Sequence, residues 1–366
     1  MLGLIKLYTV PKYRRMMKAV AKDAKQRGMG TFDFMETLSQ EDMARYLTPP
    51  LKQTDVARFG LPADDDITEE RLLPEPLRVA RDAYRAGEWQ PGADLLAGIG
   101  TDWDRRSTAV SVLSKAAADD DTALKAWRAA RPDDADAAIV HADSLTEVAW
   151  QIRSSHRASN VSAEQFAGFR RVLEQADEAC QLAADLAPED PTPWEKRCSI
   201  AMGRQYSRDD FREVWAGVME RDPLHVAAHG RAMQYWCAKW FGSHELMWEF
   251  AEEGAAKHPK LAWLPLAAAF EMWAADVKNP WQDKRVEQAL DTLLPWLDGD
   301  GRDAPEARDS RAFAARALVE LNRGEEAIEQ FRHLGAHADG FVWSYHAFGS
   351  VHEFRKIRSR ACRLAK

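Results

Sequence analysis

Apolar residues recur along most of this chain at spacings of three and four, and the stretches that carry this spacing are separated by short polar turns. That period predicts amphipathic α-helices rather than strands. Helices are expected near residues 75–86, 90–98, 104–118, 120–130 and 134–153, with Asp102 or Asp104 as the cap of the third. Further on, Leu186-Ala187-Pro188-Glu189-Asp190-Pro191, Arg221-Asp222-Pro223 and Lys257-His258-Pro259 each close one helical stretch and open the next, and prolines 188, 223 and 259 lie 35 and 36 residues apart. Proline suits these junctions because its fixed φ and missing N–H end the preceding helix but are tolerated in the first turn of the following one. Helices joined by such short connections usually pack antiparallel.

Near the C-terminus the pattern becomes specific. Ala314, Ala315, Leu318, Leu321, Ala327, Phe331 and Leu334, with the turn Leu321-Asn322-Arg323-Gly324-Glu325-Glu326-Ala327-Ile328, resemble the tetratricopeptide repeat and its inter-helix turn. Ala83-Tyr84-Arg85-Ala86-Gly87-Glu88-Trp89, followed by Ala93 and Leu96, looks like a second copy. Elsewhere the match departs from the family: Trp194 stands where it has its early aromatic, but Cys198 replaces the usual glycine and Asp210 falls near the usual small alanine. The resemblance covers roughly residues 76–350 and implies an all-α, right-handed solenoid of about six antiparallel helix pairs, each burying its apolar face by stacking on its neighbours. It also implies protein or peptide binding on a concave face, and no chemistry.

Charge divides the chain. Residues 1–27 carry eight Lys/Arg against Asp23 alone, a net of +7, and the tail from Phe354 carries six and no acid, a net of +6. Because the whole chain is −8, the residues between carry −21. The expected organisation is a basic N-terminal arm over 1–27, a helix and irregular connector over 28–75, a solenoid over 76–353 and a basic tail over 354–366. In the arm, Met16, Met17, Val20 and Ala24 fall at helical spacing beside the basic residues, a pattern suited to an anionic membrane surface or an acidic partner, or to folding back on the acidic solenoid. The helix of the second segment is expected near Phe32 to Tyr46, before Thr48-Pro49-Pro50, Gly60-Leu61-Pro62 and Asp64-Asp65-Asp66 interrupt it. Nucleic acid is not expected as a partner, because the acidic middle repels phosphate and no aromatic motif interleaves the basic ends.

Pro132 and Pro188 lie 56 residues apart, about a third of a repeat too many, and the polar run Arg153-Ser154-Ser155-His156-Arg157-Ala158-Ser159-Asn160 marks an insertion. Inserted loops in solenoids tend to fall on one face, often the binding one. The run Leu297-Asp298-Gly299-Asp300-Gly301-Arg302-Asp303 lacks the acidic spacing and terminal Glu of a calcium loop and reads as a linker. No apolar run is long enough to span a membrane, and no signal-peptide pattern opens the chain. Cys180, Cys198, Cys237 and Cys362 form no Cys-x-x-Cys pair and read as reduced and buried, so a cytoplasmic location is expected. Abundant Ala, Arg, Asp and Trp with little Lys or Asn points to a GC-rich bacterial genome.

Enzyme signatures are missing, and no cofactor or metal is expected. His225/His229 and His333/His337 have the spacing of paired ligands but lack a third, and Gly98-Ile99-Gly100 reads as a helix stop rather than a dinucleotide turn. His141, Asp143, Glu147 and Arg153 on one helix could serve acid/base work in a groove, or simply form its polar face. Six tryptophans (236, 240, 248, 263, 273 and 281) crowd into 46 residues, as core filler with a few candidate anchors on the concave face. The groove candidates are Arg197, Arg204, Arg231, Gln234, Tyr235 and Trp236, which sit on the first helices of their pairs and could clamp a carboxylate or an acidic peptide. The leading expectation is therefore a peptide- or protein-binding scaffold. Behind it stand an enzyme or small-molecule binder near the 153–160 insertion and a membrane-surface adaptor using the basic arm.

Overall fold

The computed structural model describes residues 11–39, 46, 48, 51–52, 54–153, 163–344 and 348–365. The fold is all-helical, and among these residues the only pairing of strand type is an isolated bridge between Thr68 and His337. In chain order the helices are α1 (Pro11–Gln26), α2 (Thr31–Glu36), α3 (Glu75–Arg85), α4 (Gln90–Ile99), α5 (Trp103–Asp119), α6 (Thr122–Ala130), α7 (Ala135–Arg153), α8 (Ala163–Leu186) and α9 (Thr192–Arg204). They continue as α10 (Arg208–Arg221), α11 (Val226–Tyr235), α12 (His244–Ala255), α13 (Leu264–Ala274), α14 (Lys284–Asp298), α15 (Ala307–Glu320), α16 (Gly324–Leu334), α17 (Phe341–Ser344) and α18 (Ser350–Leu364).

Local chemistry sets the helix limits. Asp102 accepts from Arg105 N to open α5, Ser207 and Asp210 form a reciprocal capping box on α10, and Ser243 caps α12. Gly100 ends α4 at φ +59°, as a helix stop there requires. The extra residues between Pro132 and Pro188 lengthen α7 to 19 residues and α8 to 24. The polar run after Arg153 lies outside the described residues.

From α3 to α15 the odd-numbered helices pack each on the next odd one, and the even-numbered helices sit against them. Two large apolar cores result. One holds Leu113, Trp127, Val140 and Leu173 around α5–α8; the other holds Leu264, Phe270, Leu290, Leu318, Phe331 and Trp343 around α13–α18. Phe211 and Tyr235, stacked at 3.7 Å, centre a smaller cluster between them. Gly324 is required by packing rather than by φ: a methyl there would fall 2.5 Å from Ala365 N at the end of α18.

The connector before α3 is fixed in place. Val56, Leu61 and Ile67 join the C-terminal core, Thr68 exchanges backbone hydrogen bonds with Ala336 and Ala338 at 2.9 and 2.8 Å, and Leu72 N donates to Asp339 at 3.2 Å. Asp64 pairs with Arg355 and Arg358, of which Arg358 is fully buried and also donates to Pro62 O at 2.9 Å. The basic residues from Arg355 to Arg363 thus belong to α18, a helix of the core, and part of their charge is spent inside the fold: Arg360 also meets Glu320, at 2.7 Å. Residues 55–72 strap the last helices and lead directly into the first pair.

At the N-terminus, Met16, Met17, Val20 and Ala24 of α1 bury against Phe34 of α2, with Tyr46 beside them. The apolar stripe that a membrane surface would need is therefore covered, and Lys18, Lys22, Lys25 and Arg27 face solvent. Of the helix expected over Phe32–Tyr46, Thr31–Glu36 is helical and residues 40–45 lie outside the described residues. Among the described residues no helix is long and apolar enough to cross a membrane.

Candidate functional site

The odd-numbered helices from α5 to α17 line a half-open cavity of about 570 Å³. Its walls come from α5 (Ser107, Ser111, Lys115), α7 (Glu147), α9 (Ser199, Met202), α11 (Ala227, Gly230, Arg231, Gln234), α13 (Ala267, Phe270, Glu271), α15 (Asp309, Ser310, Phe313) and α17 (Phe341), with Asp104, Trp263, Glu306 and the strap residue Arg71. No residue of an even-numbered helix lines it. The strap reaches α15, and α5 reaches across to the start of α11. Arg71 reaches Asp309 at 3.4 Å on the rim, and Asp104 accepts from Val226 N at 2.9 Å and from Lys260 Nζ at 2.7 Å.

One wall rests on a buried ionic network. Lys196, fully buried on α9, donates to Ser111 Oγ at 2.9 Å and lies 3.3 Å from Asp143 and 3.1 Å from Glu195. Glu195 also accepts from Ser107 Oγ at 3.0 Å and pairs with Arg231, whose other nitrogen donates to Ser199 Oγ at 2.9 Å. Burial alone would raise the Glu195 pKa, but Lys196, Arg231 and His225 overcome it and hold the carboxyl at about 2. Below this layer, Arg106 bridges Asp190 at 2.7 Å and Asp136 at 2.6 Å. The network locks α5, α7, α9 and α11 in register, because every buried charge in it has an opposite charge in reach.

The facing wall is apolar and aromatic. Phe270 and Phe313 meet at 5.9 Å, edge to face, Phe341 stands 5.9 Å from Phe270, and Trp263 lies 5.7 Å from Phe313. Five acids and three bases line the whole cavity. Glu271 is satisfied by Gln234 at 2.7 Å and Lys239 at 2.6 Å. Burial and the neighbouring Asp143 raise the pKa of Glu147, and burial with Asp104 nearby raises Glu306 to about 7.

Of the groove residues expected from sequence, Arg231 and Gln234 reach this cavity and four do not. Arg197 and Arg204 both close on Asp177 of α8, joined there by Tyr206, so the carboxylate they clamp belongs to the chain itself. Tyr235 is fully buried and donates to Tyr206 O at 2.8 Å, and Trp236 packs edge to face on Phe211 with Arg208 over its ring. Among the crowded tryptophans only Trp263 lines the cavity, while Trp248 and Trp281 are core.

The other candidates have structural positions. His225 caps α11 through Nδ1, and His229 bonds Pro223 O at 3.0 Å, with burial pushing its pKa down to about 4. Asp143 serves the ionic network and Glu147 reaches the cavity, whereas His141, lowered to about 4 by burial, does not line it. Among the described residues no group of three or more His, Cys, Asp or Glu could hold a metal ion. All four cysteines are free and buried, and burial pushes their thiols up, Cys237 to about 12.

Sequence reasoning missed the polar stripe of α5. Asp104, Ser107, Thr108, Ser111 and Lys115 recur at spacings of three and four on a helix whose other face is apolar, and all of them line the cavity. Compared with family models, curated proteins and solved structures, the chain matches none.

Proposed function

We propose that this chain is a tetratricopeptide-like solenoid of antiparallel helix pairs, acting as a scaffold or adaptor that captures a short segment of a partner protein in the cavity lined by its inner helices. The observation that carries this reading is the division of labour between helices: every helix lining the cavity is odd-numbered, and the even-numbered helices form the backing layer. In a helical-repeat array the first helix of each pair faces the concave surface, and segments are held there by side chains from several repeats. The walls offer what such capture uses, an aromatic patch beside polar groups whose geometry is fixed by a buried network. The volume of about 570 Å³ limits the occupant to a few residues. A cavity of this volume also suits a free small molecule.

The test is capture from the source cell with three folded forms of the chain. Ala227→Trp fills the cavity, and Leu182→Trp places the same bulk on an exposed position of α8. A protein retained by the unaltered chain and by the Leu182 variant, but lost with the Ala227 variant, supports capture in the cavity. Equal recovery with all three, or no enrichment, overturns it.

A further inference from the structure

We propose that the group seated in this cavity is an organic cation, the ammonium or guanidinium of a basic side chain on the captured segment. The inference rests on the capture reading above and names the chemistry that site takes.

It follows from which charges in the walls are already satisfied. Asp104 has Lys260, Glu271 has Lys239 and Gln234, and Arg231 is committed to Glu195. Two acids on separate elements, Glu147 on α7 and Glu306 in the turn before α15, are left over. Glu147 makes no ion pair among the described residues, and Glu306 buries Oε2 with no hydrogen-bond partner there. A buried carboxylate oxygen without a partner is costly, and a donor entering the cavity removes that cost.

With Asp309 spent on Arg71 at the rim, three of the five lining acids and two of the three bases are already paired, so an anionic group would meet Glu147 and Glu306 against Lys115 alone. A purely apolar group would leave the oxygen of Glu306 unsatisfied. A basic side chain answers both walls at once. Its methylene stem can lie on Phe270 and Phe313, its head can donate to a carboxylate, and the aromatic faces attract the cation directly.

The experiment is ligand-observed saturation-transfer NMR on the full chain at physiological ionic strength. The probes are a capped alanine pentapeptide with a central lysine, the same peptide with that lysine acetylated, and 1,4-diaminobutane as a free amine. The expected result is transfer to the lysine methylenes, weakened about tenfold or more for the acetylated peptide and for the variant carrying both Glu147→Gln and Glu306→Gln. These substitutions keep side-chain shape, and a circular-dichroism melt confirms folding. Equal signals from the two peptides, an unchanged signal in the variant, or no signal from the lysine peptide overturns the proposal, and a signal from the diamine alone overturns the captured segment as the source of the cation. The two readings separate cleanly. If a protein captured from cells is lost with Ala227→Trp but kept by the double Gln variant, capture stands and the cation falls.

Discussion

Replacing Lys196 with methionine tests whether the ionic wall of the cavity holds four helices together. The ammonium is fully buried, and it faces Asp143 at 3.3 Å, Glu195 at 3.1 Å and Ser111 Oγ at 2.9 Å. Without it Glu195 keeps Arg231 and Ser107, but Asp143, 2% exposed, keeps only Ser111 at 3.5 Å. Breaking a buried pair by removing one partner costs about 3–5 kcal/mol, because the remaining charge is left uncompensated. At roughly 2.1 cal/mol/K per residue, a chain of this length unfolds with an entropy of about 0.8 kcal/mol/K, so the loss corresponds to a Tm lower by about 4–6 °C. Urea titration with a thermal melt measures both. Adding Asp143→Leu removes the orphaned charge and is expected to recover most of the loss, as a double-mutant cycle would record. A single variant that loses less than about 1 kcal/mol, or a double variant as unstable as the two single losses added, refutes the network as described.

Other expectations follow from single contacts. Glu306 faces Asp104, Asp102 and Lys260, and its pKa of about 7 lies above the ordinary 4.5, so the folded chain holds that proton more tightly and stability falls as pH rises between these values. Glu306→Gln should therefore stabilise the chain by about 1–3 kcal/mol above pH 7 and by nothing below pH 4.5, read from melts across that window; equal gain at every pH contradicts it. Gly324→Ala drives a methyl against Ala365 N and should cost about 1–3 kcal/mol in a urea titration, whereas a neutral result would mean that α18 shifts freely. Arg358→Met removes the buried partner of Asp64 and Pro62 O. Faster hydrogen exchange at Thr68 N and Ala338 N is expected in that variant, because the strap they pin has lost its anchor, and unchanged protection there contradicts the coupling.

Much of the helical organisation was legible in the sequence. The expected helices near 75–86, 90–98, 104–118, 120–130 and 134–153 lie within two residues of α3–α7, because periodicity and caps such as Asp102 are local signals. The cavity was legible only in part. Arg231 and Gln234 share a stripe with Ala227 and Gly230, but Tyr235, the next residue after Gln234, turns inward onto Phe211, and the repeat pattern alone did not say which stripe faces the hollow. Arg197 and Arg204 found their carboxylate in Asp177, some twenty to thirty residues earlier on α8. Glu147, Glu306 and Phe341 come from α7, from the turn before α15 and from α17, so no local pattern joins them. Only the packing of those elements does. The strap was read as an irregular connector, since nothing local in Asp64-Asp65-Asp66 announces Arg355 and Arg358 almost three hundred residues away.

Site-specific photo-cross-linking tests capture most directly. A benzophenone amino acid is placed at Phe341, half-exposed on the cavity wall, or at Leu182, equally exposed on α8 outside it, and the intact chain is irradiated in the source cell. A solenoid that captures a partner segment in its cavity gives a discrete cross-linked protein from position 341, which disappears with Ala227→Trp and is missing from position 182. The same products from both positions, or none from position 341, would contradict capture at this cavity.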